Sequence, residues 1–352
     1  MALRTAILGY GRNGSTMHAD ALARNDAFQV VAVCDIDPAR LLQASARFGC
    51  ALYEDYRVML AQQEALDLIV IVTRNDQHCA MTCDALQAGV NVLVTKPWAL
   101  DAAEAQRMMT AAQAAGKQLL PWLPARWGSD FVRLREIVSA GTIGNVFFVR
   151  RAVSSFGTRC DWQTERQYGG GYLRNWGPHI VGSAMALLDC PVATAYGRMQ
   201  QVINPGDVED LFYALLTLEN GAIVQAEYTI ALDALPSWYI QGDRGTITVQ
   251  GARITVRTNT PVQPHDPTQF ATMQADATQI SEEIVGNDVY GDEHRIYPEI
   301  AQALRGERPY PVTADHALEL TRVLDAIRIA SGEDRIVSLA GEHAPVAGGA
   351  AG

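Results

Sequence analysis

Several features that define whole classes of protein are missing from this sequence. No apolar run approaches the roughly 18 consecutive residues that a membrane-spanning helix needs, so no membrane segment is expected. Residues 1–4 lead directly into an apolar strand pattern, which leaves no room for a signal peptide. Basic residues are outnumbered, with 28 Lys and Arg against 39 Asp and Glu, for a net charge of −11. Because there is no basic stripe to neutralise phosphates, nucleic acid is not an expected partner.

Cysteine is also sparse. The chain has six cysteines in 352 residues, without the dense spacing of a disulfide scaffold, so reduced thiols and a cytoplasmic location are expected. Cys79 and Cys83 lie four residues apart on a predicted helix and could form a metal pair, but no cluster of His or Cys accompanies them. Ordinary half-buried cysteines are the favoured interpretation, and no metal is expected.

The first motif that is present follows a short apolar run at residues 3–8, the pattern of a buried parallel strand. The next six residues fit G-x-G-x-x-G: Gly9, Tyr10, Gly11, Arg12, Asn13 and Gly14. The first glycine permits the tight turn, the second lets a pyrophosphate approach the backbone, and the third lets the following helix pack closely. That helix, predicted over about residues 15–24, aims its free N–H groups at the phosphates. The stretch therefore predicts a dinucleotide site.

An acidic residue marks the end of the second apolar strand. The strand covers residues 28–34 and ends at Asp35, about 20 residues past the glycine motif. A carboxylate there accepts a hydrogen bond from the ribose 2′-hydroxyl and repels a 2′-phosphate, so NAD is expected rather than NADP. A surface aspartate is the alternative for Asp35 alone. Ile36 belongs to the same predicted site, and Arg40 could weaken the preference by swinging toward a 2′-phosphate.

The order of predicted elements divides the chain in two. Strands alternating with helices predict a doubly wound, parallel Rossmann domain over residues 1–123. Ligands bind beyond the carboxyl ends of such strands, where Asp35, Asn75 and Lys96 lie. Longer alternating strands, with an Asn-Gly hairpin turn at residues 220–221, predict an α+β domain with a large, mostly antiparallel open sheet over residues 124–340. Residues 266–287 are interpreted as a polar loop and residues 341–352 as a disordered tail.

A second motif lies in the latter half. Three glycines at residues 169–171 lead into a helix that carries Asn175 and His179 one turn apart on one face. Histidine suits proton transfer because its unperturbed pKa is about 6.5. Taken alone, a helical histidine is more often a satisfied core residue.

In their order, these motifs resemble those of the Gfo/Idh/MocA family, which includes glucose–fructose oxidoreductase and inositol dehydrogenase. That family has a glycine fingerprint, an acidic strand end, a T-P-N-x-x-H loop, an E-K-P turn and a G-G-G…D-x-x-x-H helix. The corresponding segments here are residues 9–14, Asp35, residues 73–78 (TRNDQH), residues 95–97 (TKP) and residues 169–179. Residues 139–144 and 309–313 resemble two further family segments, so the likeness spans residues 3–335.

The resemblance implies a dehydrogenase that acts on a hydroxyl of a sugar, glycoside or cyclitol. Lys96 matches the lysine that reaches the reacting hydroxyl, and His179 matches the histidine that exchanges the proton. Cofactor contacts are implied for Thr73, Asn75, His78 and Lys96. Candidate substrate contacts are Lys96, Arg126, Trp127, Arg159, Asp161, Trp162, Asn175 and His179. By the same resemblance, a homodimer or homotetramer through the second sheet is expected.

Three positions depart from the family pattern. Thr95 stands where the family usually has Glu, Asn175 where many members have Asp, and Gly182 where Asp is frequent. A carboxylate at position 175 would raise the pKa of His179, whereas the amide supplies no charge. We interpret these changes as subgroup variation, with substrate hydroxyls recognised differently.

Two other functions remain open at this stage. An NAD-dependent glycosidase shares this fold and oxidises the sugar ring only transiently, so NADH does not accumulate. A non-catalytic dinucleotide-binding sensor is the other alternative, although such a protein is expected to have lost Lys96 or His179.

Overall fold

The structure, a computed structural model, describes residues 1–233, 235–260, 268, 270 and 277–339. It contains two β-sheets, one formed by the first third of the chain and one by the remainder. The tail at residues 341–352, which the sequence predicts to be disordered, lies outside the described part. Within the described ranges, no helix combines the length and the apolar character that crossing a bilayer requires.

The first sheet is the parallel, doubly wound sheet that the sequence predicts. Its strands are β1 (Leu3–Leu8), β2 (Phe28–Cys34), β3 (Ala51–Tyr53), β4 (Leu68–Ile71), β5 (Asn91–Thr95) and β6 (Leu119–Trp122). Its helices are α1 (Ala19–Ala23), α2 (Pro38–Phe48), α3 (Tyr56–Gln62), α4 (His78–Gln87) and α5 (Ala102–Ala115). The strand order is β3-β2-β1-β4-β5-β6, and every neighbouring pair is parallel. All of β4 is buried, as expected for a strand in a sheet covered on both faces.

The second sheet is mixed and mostly antiparallel, which confirms the predicted fold class. Its strands are β7 (Val146–Ser154), β8 (Val192–Gln200), β9 (Leu211–Leu218), β10 (Ile223–Thr229), β11 (Trp238–Gly242), β12 (Gly245–Gln250), β13 (Arg253–Thr258), β14 (Gln279–Ile284) and β15 (Val337–Ser338). Its helices are α6 (Ser129–Ser139), α7 (Tyr172–Leu188), α8 (Glu293–Leu304) and α9 (Ala314–Glu333). The strand order is β14-β13-β12-β11-β7-β10-β9-β8-β15, and β7 with β10 forms the parallel pair.

Three elements of the second half depart from the sequence-based interpretation. The loop predicted over residues 266–287 is wrong at Gln279–Ile284, which forms β14 and pairs with β13. This strand lies at the edge of the sheet and buries none of its side chains, so its sequence lacks the apolar alternation by which strands are recognised. Helix α8 and the two-residue strand β15 are also absent from the sequence interpretation.

Helix α7 is the element that places the second motif in the interior. Twelve of its 17 residues are buried, so the helix is covered on nearly all sides. Gly177 and Gly182 allow close packing against α9, because a Cβ atom would lie 2.7 Å from Leu324 at the first position and 2.9 Å from Leu320 at the second. The family frequently has Asp at position 182. Here the close packing of α7 on α9 leaves no room for a side chain at that position.

Helices α8 and α9 pack back onto the first sheet. The Tyr297 hydroxyl lies 2.8 Å from Nδ1 of His18, which directly precedes α1. On α9, the Thr321 hydroxyl accepts a hydrogen bond from the Trp98 indole at 2.8 Å. These contacts join elements on both sides of residue 123. The domain boundary predicted at that residue stays a prediction.

Candidate functional site

The glycine motif forms the turn between β1 and the first helix. Gly9 has a φ of +91°, and a Cβ atom there would lie 2.7 Å from the Val72 carbonyl oxygen. A Cβ atom at Gly14 would lie 2.1 Å from the Gly9 oxygen. At Gly11 the nearest atom is in the Arg40 guanidinium, 3.6 Å away. Gly9 and Gly14 are thus required by the protein itself, whereas Gly11 faces space that a ligand can enter.

A widened π-helical turn follows the motif, from Gly14 to His18. His18 is 1% exposed, and burial lowers its pKa to about 3. Its ring lies 4.7 Å from that of Trp122 and hydrogen-bonds Tyr297. The neutral His18 therefore fixes the helix whose N-terminus faces the predicted phosphate position.

Asp35 is buried at the end of β2, where its carboxylate holds the glycine turn. One oxygen accepts the Tyr10 N–H at 2.6 Å, and the other accepts the Asp37 N–H at 2.9 Å. The Arg40 guanidinium lies 3.5 Å from the same carboxylate. Tyr10 takes part in this turn through its backbone N–H, while its side chain is buried. Arg12, Asn13 and Ile36 are exposed around this turn.

The loops after β4 and β5 are joined by buried polar side chains. His78 is fully buried between two carbonyl oxygens, that of Pro97 at 2.8 Å and that of Thr73 at 3.1 Å, and burial lowers its pKa. The Asn75 amide donates to the Gly169 oxygen at 2.8 Å and so connects this loop to the second motif. These contacts give Asn75 and His78 a structural role in shaping the site.

Lys96, just after β5, joins the parallel sheet to helix α7. Its Nζ atom donates to the side-chain oxygen of Asn175 at 2.6 Å and to the backbone oxygen of the same residue at 2.9 Å. Burial, followed by the positive charges of Arg159 and Arg12, lowers the pKa of Lys96 to about 7. Thr95, which replaces the usual Glu, instead donates its hydroxyl to the Ile71 oxygen. The ammonium is thus held by neutral oxygens.

His179 lies one turn further along α7 and is enclosed by aromatic rings. Its ring centroid is 4.9 Å from that of Tyr290 and 6.2 Å from that of Trp176. Trp176 in turn stacks on Tyr228, with centroids 5.1 Å apart. Only 7% of His179 is exposed.

The electrostatic environment keeps the His179 ring neutral. Burial lowers the pKa of His179 well below its usual value, and the positive charges of Lys96 and Arg151 lower it further. A neutral imidazole can accept a proton, so this arrangement is compatible with a general base.

The structure separates the predicted substrate contacts into two groups. Arg159 exerts the largest charge effect on Lys96, and its guanidinium pairs with Asp161 at 3.0 Å. Trp162 follows in the same segment. Arg126 and Trp127 lie in the segment before α6, where the Trp127 indole donates to Glu299 on α8 and the charges acting on Arg126 are Arg135, Asp189 and Glu319. Their role as substrate contacts stays a prediction.

Sequence reasoning missed several side chains that surround His179: Arg151, Trp176, Tyr228 and Tyr290. Trp176 could have been predicted from the sequence, because it lies inside the second motif, one helical turn before His179. The others come from β7, β10 and the segment before α8, where no local pattern marks them.

Cys79 and Cys83 lie on α4, away from the two motifs. Burial raises the pKa of both thiols, and the Arg107 guanidinium lies 3.3 Å from the Cys79 sulfur. The described residues contain no group of three or more His, Cys, Asp or Glu that could hold a metal ion.

Two family models match the chain. Residues 3–121 match the oxidoreductase family with an NAD-binding Rossmann fold, and residues 131–248 match the GFO/IDH/MocA C-terminal domain. The first match spans nearly all of the parallel sheet, and the second spans β7 to β11 of the mixed sheet.

Known proteins with similar sequence or structure agree with the matches to the family models. The scyllo-inositol 2-dehydrogenase (NADP(+)) of Bacillus subtilis is 24% identical, over 97% of this chain and 96% of its own. D-glucoside 3-dehydrogenase of Escherichia coli is 28% identical, over 66% of this chain and 71% of its own. The crystal structure of an NAD-binding protein from Listeria innocua has a TM-score of 0.81 and 25% identity, over 96% of this chain and 97% of that one. The chain belongs to the Gfo/Idh/MocA family of NAD-binding oxidoreductases.

Proposed function

We propose that this protein is an NAD-dependent dehydrogenase that transfers hydride between the nicotinamide and a ring hydroxyl or ketone of a sugar, glycoside or cyclitol. The observation that carries the proposal is the contact of Lys96 with Asn175, because it joins the end of β5 to the helix of His179. Two relatives with sugar and cyclitol dehydrogenase names support this substrate class.

Lys96 and His179 divide the handling of the proton. An ammonium has three donors, and the two oxygens of Asn175 accept two of them, which leaves one for the substrate oxygen. The neutral His179 accepts the hydroxyl proton when an alcohol is oxidised and returns it when a ketone is reduced. The aromatic rings around His179 exclude water from this exchange.

The residues at the glycine turn fit a dinucleotide. Gly11 leaves room for the pyrophosphate, and Arg12 is exposed beside it. Asp35 keeps unused lone pairs for the ribose hydroxyls, because each carboxylate oxygen accepts more than one hydrogen bond. Ile36 is 83% exposed and offers an apolar surface for the adenine. When bound, the cofactor supplies the hydride chemistry, and the protein supplies orientation and proton transfer.

A sugar and polyol screen tests the proposal. Purified protein is mixed with NAD or NADP and a panel of aldoses, glycosides and cyclitols, and nicotinamide absorbance is followed together with glycoside cleavage. NADH accumulation with at least one substrate is expected. Glycoside cleavage without NADH accumulation supports the glycosidase instead, and dinucleotide binding with neither reaction supports the sensor.

We further propose that a second copy covers the outer face of the second sheet, giving a homodimer or homotetramer. Tyr213, Leu215 and Ile223 on β9 and β10 are 41%, 46% and 38% exposed on that face. Exposed large apolar side chains on one face of a sheet are typical of protein interfaces. Light scattering after size exclusion should give a multiple of the chain mass, and Leu215→Glu should reduce it. A monomer at micromolar concentration contradicts the proposal.

A further inference from the structure

The first turn of α7 holds the ammonium of Lys96, but it begins after a residue that cannot cap it. The helix starts at Tyr172, and the residue before it, Gly171, has no side chain to accept the free N–H groups of the first turn. Both oxygens that accept hydrogen bonds from Lys96 belong to Asn175, which lies in this turn. A group that fixes the first turn therefore also fixes Lys96 relative to α7.

Glu209, in the segment between β8 and β9, supplies the acceptors that the helix start needs. Its side-chain Oε1 atom accepts the N–H of Leu173 at 3.0 Å, and its backbone oxygen accepts the N–H of Tyr172 at 3.1 Å. Two N–H groups that the helix leaves without an internal partner are satisfied in this way. Glu209 therefore caps α7 although 36 residues separate it from Leu173 along the chain.

The contact with Glu209 also explains the last glycine of the segment 169–171. A Cβ atom at Gly171 would lie 2.5 Å from the Oε1 atom of Glu209 and 2.9 Å from its other carboxylate oxygen. Both distances are too short for a side chain at this position, so the carboxylate lies directly against the backbone of Gly171. Glu209 thus belongs to the same structural unit as the second motif.

The segment that carries Glu209 is itself held in place. The next residue, Asp210, is 1% exposed, and its carboxylate accepts the backbone N–H groups of residues 202, 203 and 204 at 2.8, 2.8 and 2.6 Å. The backbone N–H of Asp207 donates to the Thr164 oxygen at 3.1 Å. These contacts fix the backbone on both sides of Glu209, so its carboxylate has a stable base from which to hold α7.

Resting on the proposed dehydrogenase function, we propose that Glu209 is a positioning residue for the reaction, which holds the first turn of α7 so that Asn175 keeps Lys96 in place. The Asn175 N–H donates to the Gly171 oxygen at 3.0 Å, so Glu209 and Asn175 are attached to the same turn. His179 lies one turn further along the helix. A displacement of about 1 Å between reacting groups can lower a rate about 10²-fold, so a frayed first turn should slow the reaction.

Substitutions at position 209 separate the hydrogen bond from the size of the side chain. Glu209→Met keeps a similar length and removes the acceptor, whereas Glu209→Gln keeps an acceptor oxygen and removes the charge. With the best substrate of the sugar and polyol screen, Glu209→Met should lower kcat about 10–100-fold, and Glu209→Gln should stay within about threefold of the wild type. The Kd for NAD should change less than about twofold in both, because the contact does not involve the glycine turn.

A shorter carboxylate provides a second variant. Glu209→Asp keeps the charge but withdraws the oxygens from Leu173 by one methylene group, and it should lower kcat about tenfold. This variant decides the proposal if Glu209→Met does not fold. In that case a wild-type kcat in Glu209→Asp overturns the positioning role.

Hydrogen exchange measures the anchoring of the helix without a substrate. The backbone amides of residues 172–175 should exchange faster in Glu209→Met than in the wild type or in Glu209→Gln. Thr313→Val is the matched control, because it removes the hydroxyl that caps α9 by accepting the His316 N–H at 3.2 Å. This control should lower the melting temperature, as the loss of a cap does, and leave kcat unchanged.

The outcomes separate this proposal from the proposed function. A wild-type kcat or unchanged exchange over residues 172–175 in Glu209→Met overturns the positioning role and leaves the dehydrogenase intact. Equal losses of kcat in Glu209→Met and Thr313→Val overturn it as well, because a general loss of stability would then be the cause. No nicotinamide-linked turnover with any compound of the screen contradicts the dehydrogenase itself and this inference with it.

Discussion

The proposed cofactor side of the site, residues 9–14 and 35–40, presents mainly backbone groups, whereas the proposed substrate side, around Lys96 and His179, presents side chains. The glycine turn brings backbone atoms so close together that it requires residues without a Cβ atom. A Cβ atom added at Gly14 would lie only 2.1 Å from the Gly9 oxygen. The substrate side depends on one ammonium held by Asn175 and on charges from separate strands. A cofactor shared by many enzymes can be bound by a constant turn, while a particular substrate requires particular side chains.

The largest expected effect comes from removing the proton-handling groups, which should damage the substrate side alone. His179→Ala and Lys96→Ala should each lower kcat by about 10²–10⁴-fold, the usual contribution of general acid–base catalysis. NADH binding, followed by fluorescence titration, should change little. The double variant should lose less than the product of the two effects, because the groups act as a unit. Full turnover by His179→Ala would remove this residue from the mechanism.

The reverse experiment damages the cofactor side alone. In Gly11→Ala the new methyl group meets only the Arg40 guanidinium, so the fold should be kept while the pyrophosphate is obstructed. The Kd for NAD should rise by about 10–100-fold with an unchanged melting temperature. Gly14→Ala is the matched control, because its clash with the Gly9 oxygen should lower the melting temperature as well. A Gly11→Ala protein that binds NAD normally contradicts the placement of the pyrophosphate.

Cofactor preference tests the polar end of the cofactor side. Wild-type protein should bind NAD more tightly than NADP, since Asp35 would repel a 2′-phosphate. Asp35→Ser should improve the relative affinity for NADP by about tenfold, because Arg40 already lies 3.5 Å from that carboxylate. Asp37→Ser, which removes the neighbouring carboxylate, is the control. Tighter binding of NADP by the wild type would show that Arg40 dominates.

The smallest expected effect is a shift in pH dependence. Asn175→Asp places a negative charge beside Lys96, whose pKa of about 7 should rise, together with that of His179. His179 acts when deprotonated, so the rise in its pKa should move the acidic limb of the kcat/KM profile about one to two units toward higher pH. Lys96 acts as the ammonium, so the rise in its pKa should move the alkaline limb in the same direction. Asn175→Ser alters the contact without adding charge and should cause neither shift. An unchanged acidic limb in Asn175→Asp would mean that His179 does not set this limb.

Local patterns explain how much of this molecule could be predicted from its sequence. The parallel sheet and the glycine turn are encoded by contiguous residues, so their type and order follow from short segments. Strand β14 was missed because it lies at the edge of the sheet and buries none of its side chains. Its sequence therefore does not need the alternation of apolar and polar residues by which strands are recognised. Arg151 and Tyr290 were missed because tertiary packing brings them to His179 from distant parts of the chain.

The hydrogen bond between His18 and Tyr297 has a consequence for recombination among relatives. The helix that follows the glycine motif and α8 share one buried contact, although 279 residues separate the partners along the chain. Exchanging residues 1–123 alone would replace one partner of this pair and keep the other. We therefore expect a chimera to be most stable when residues 293–304 come from the same parent as residues 1–123.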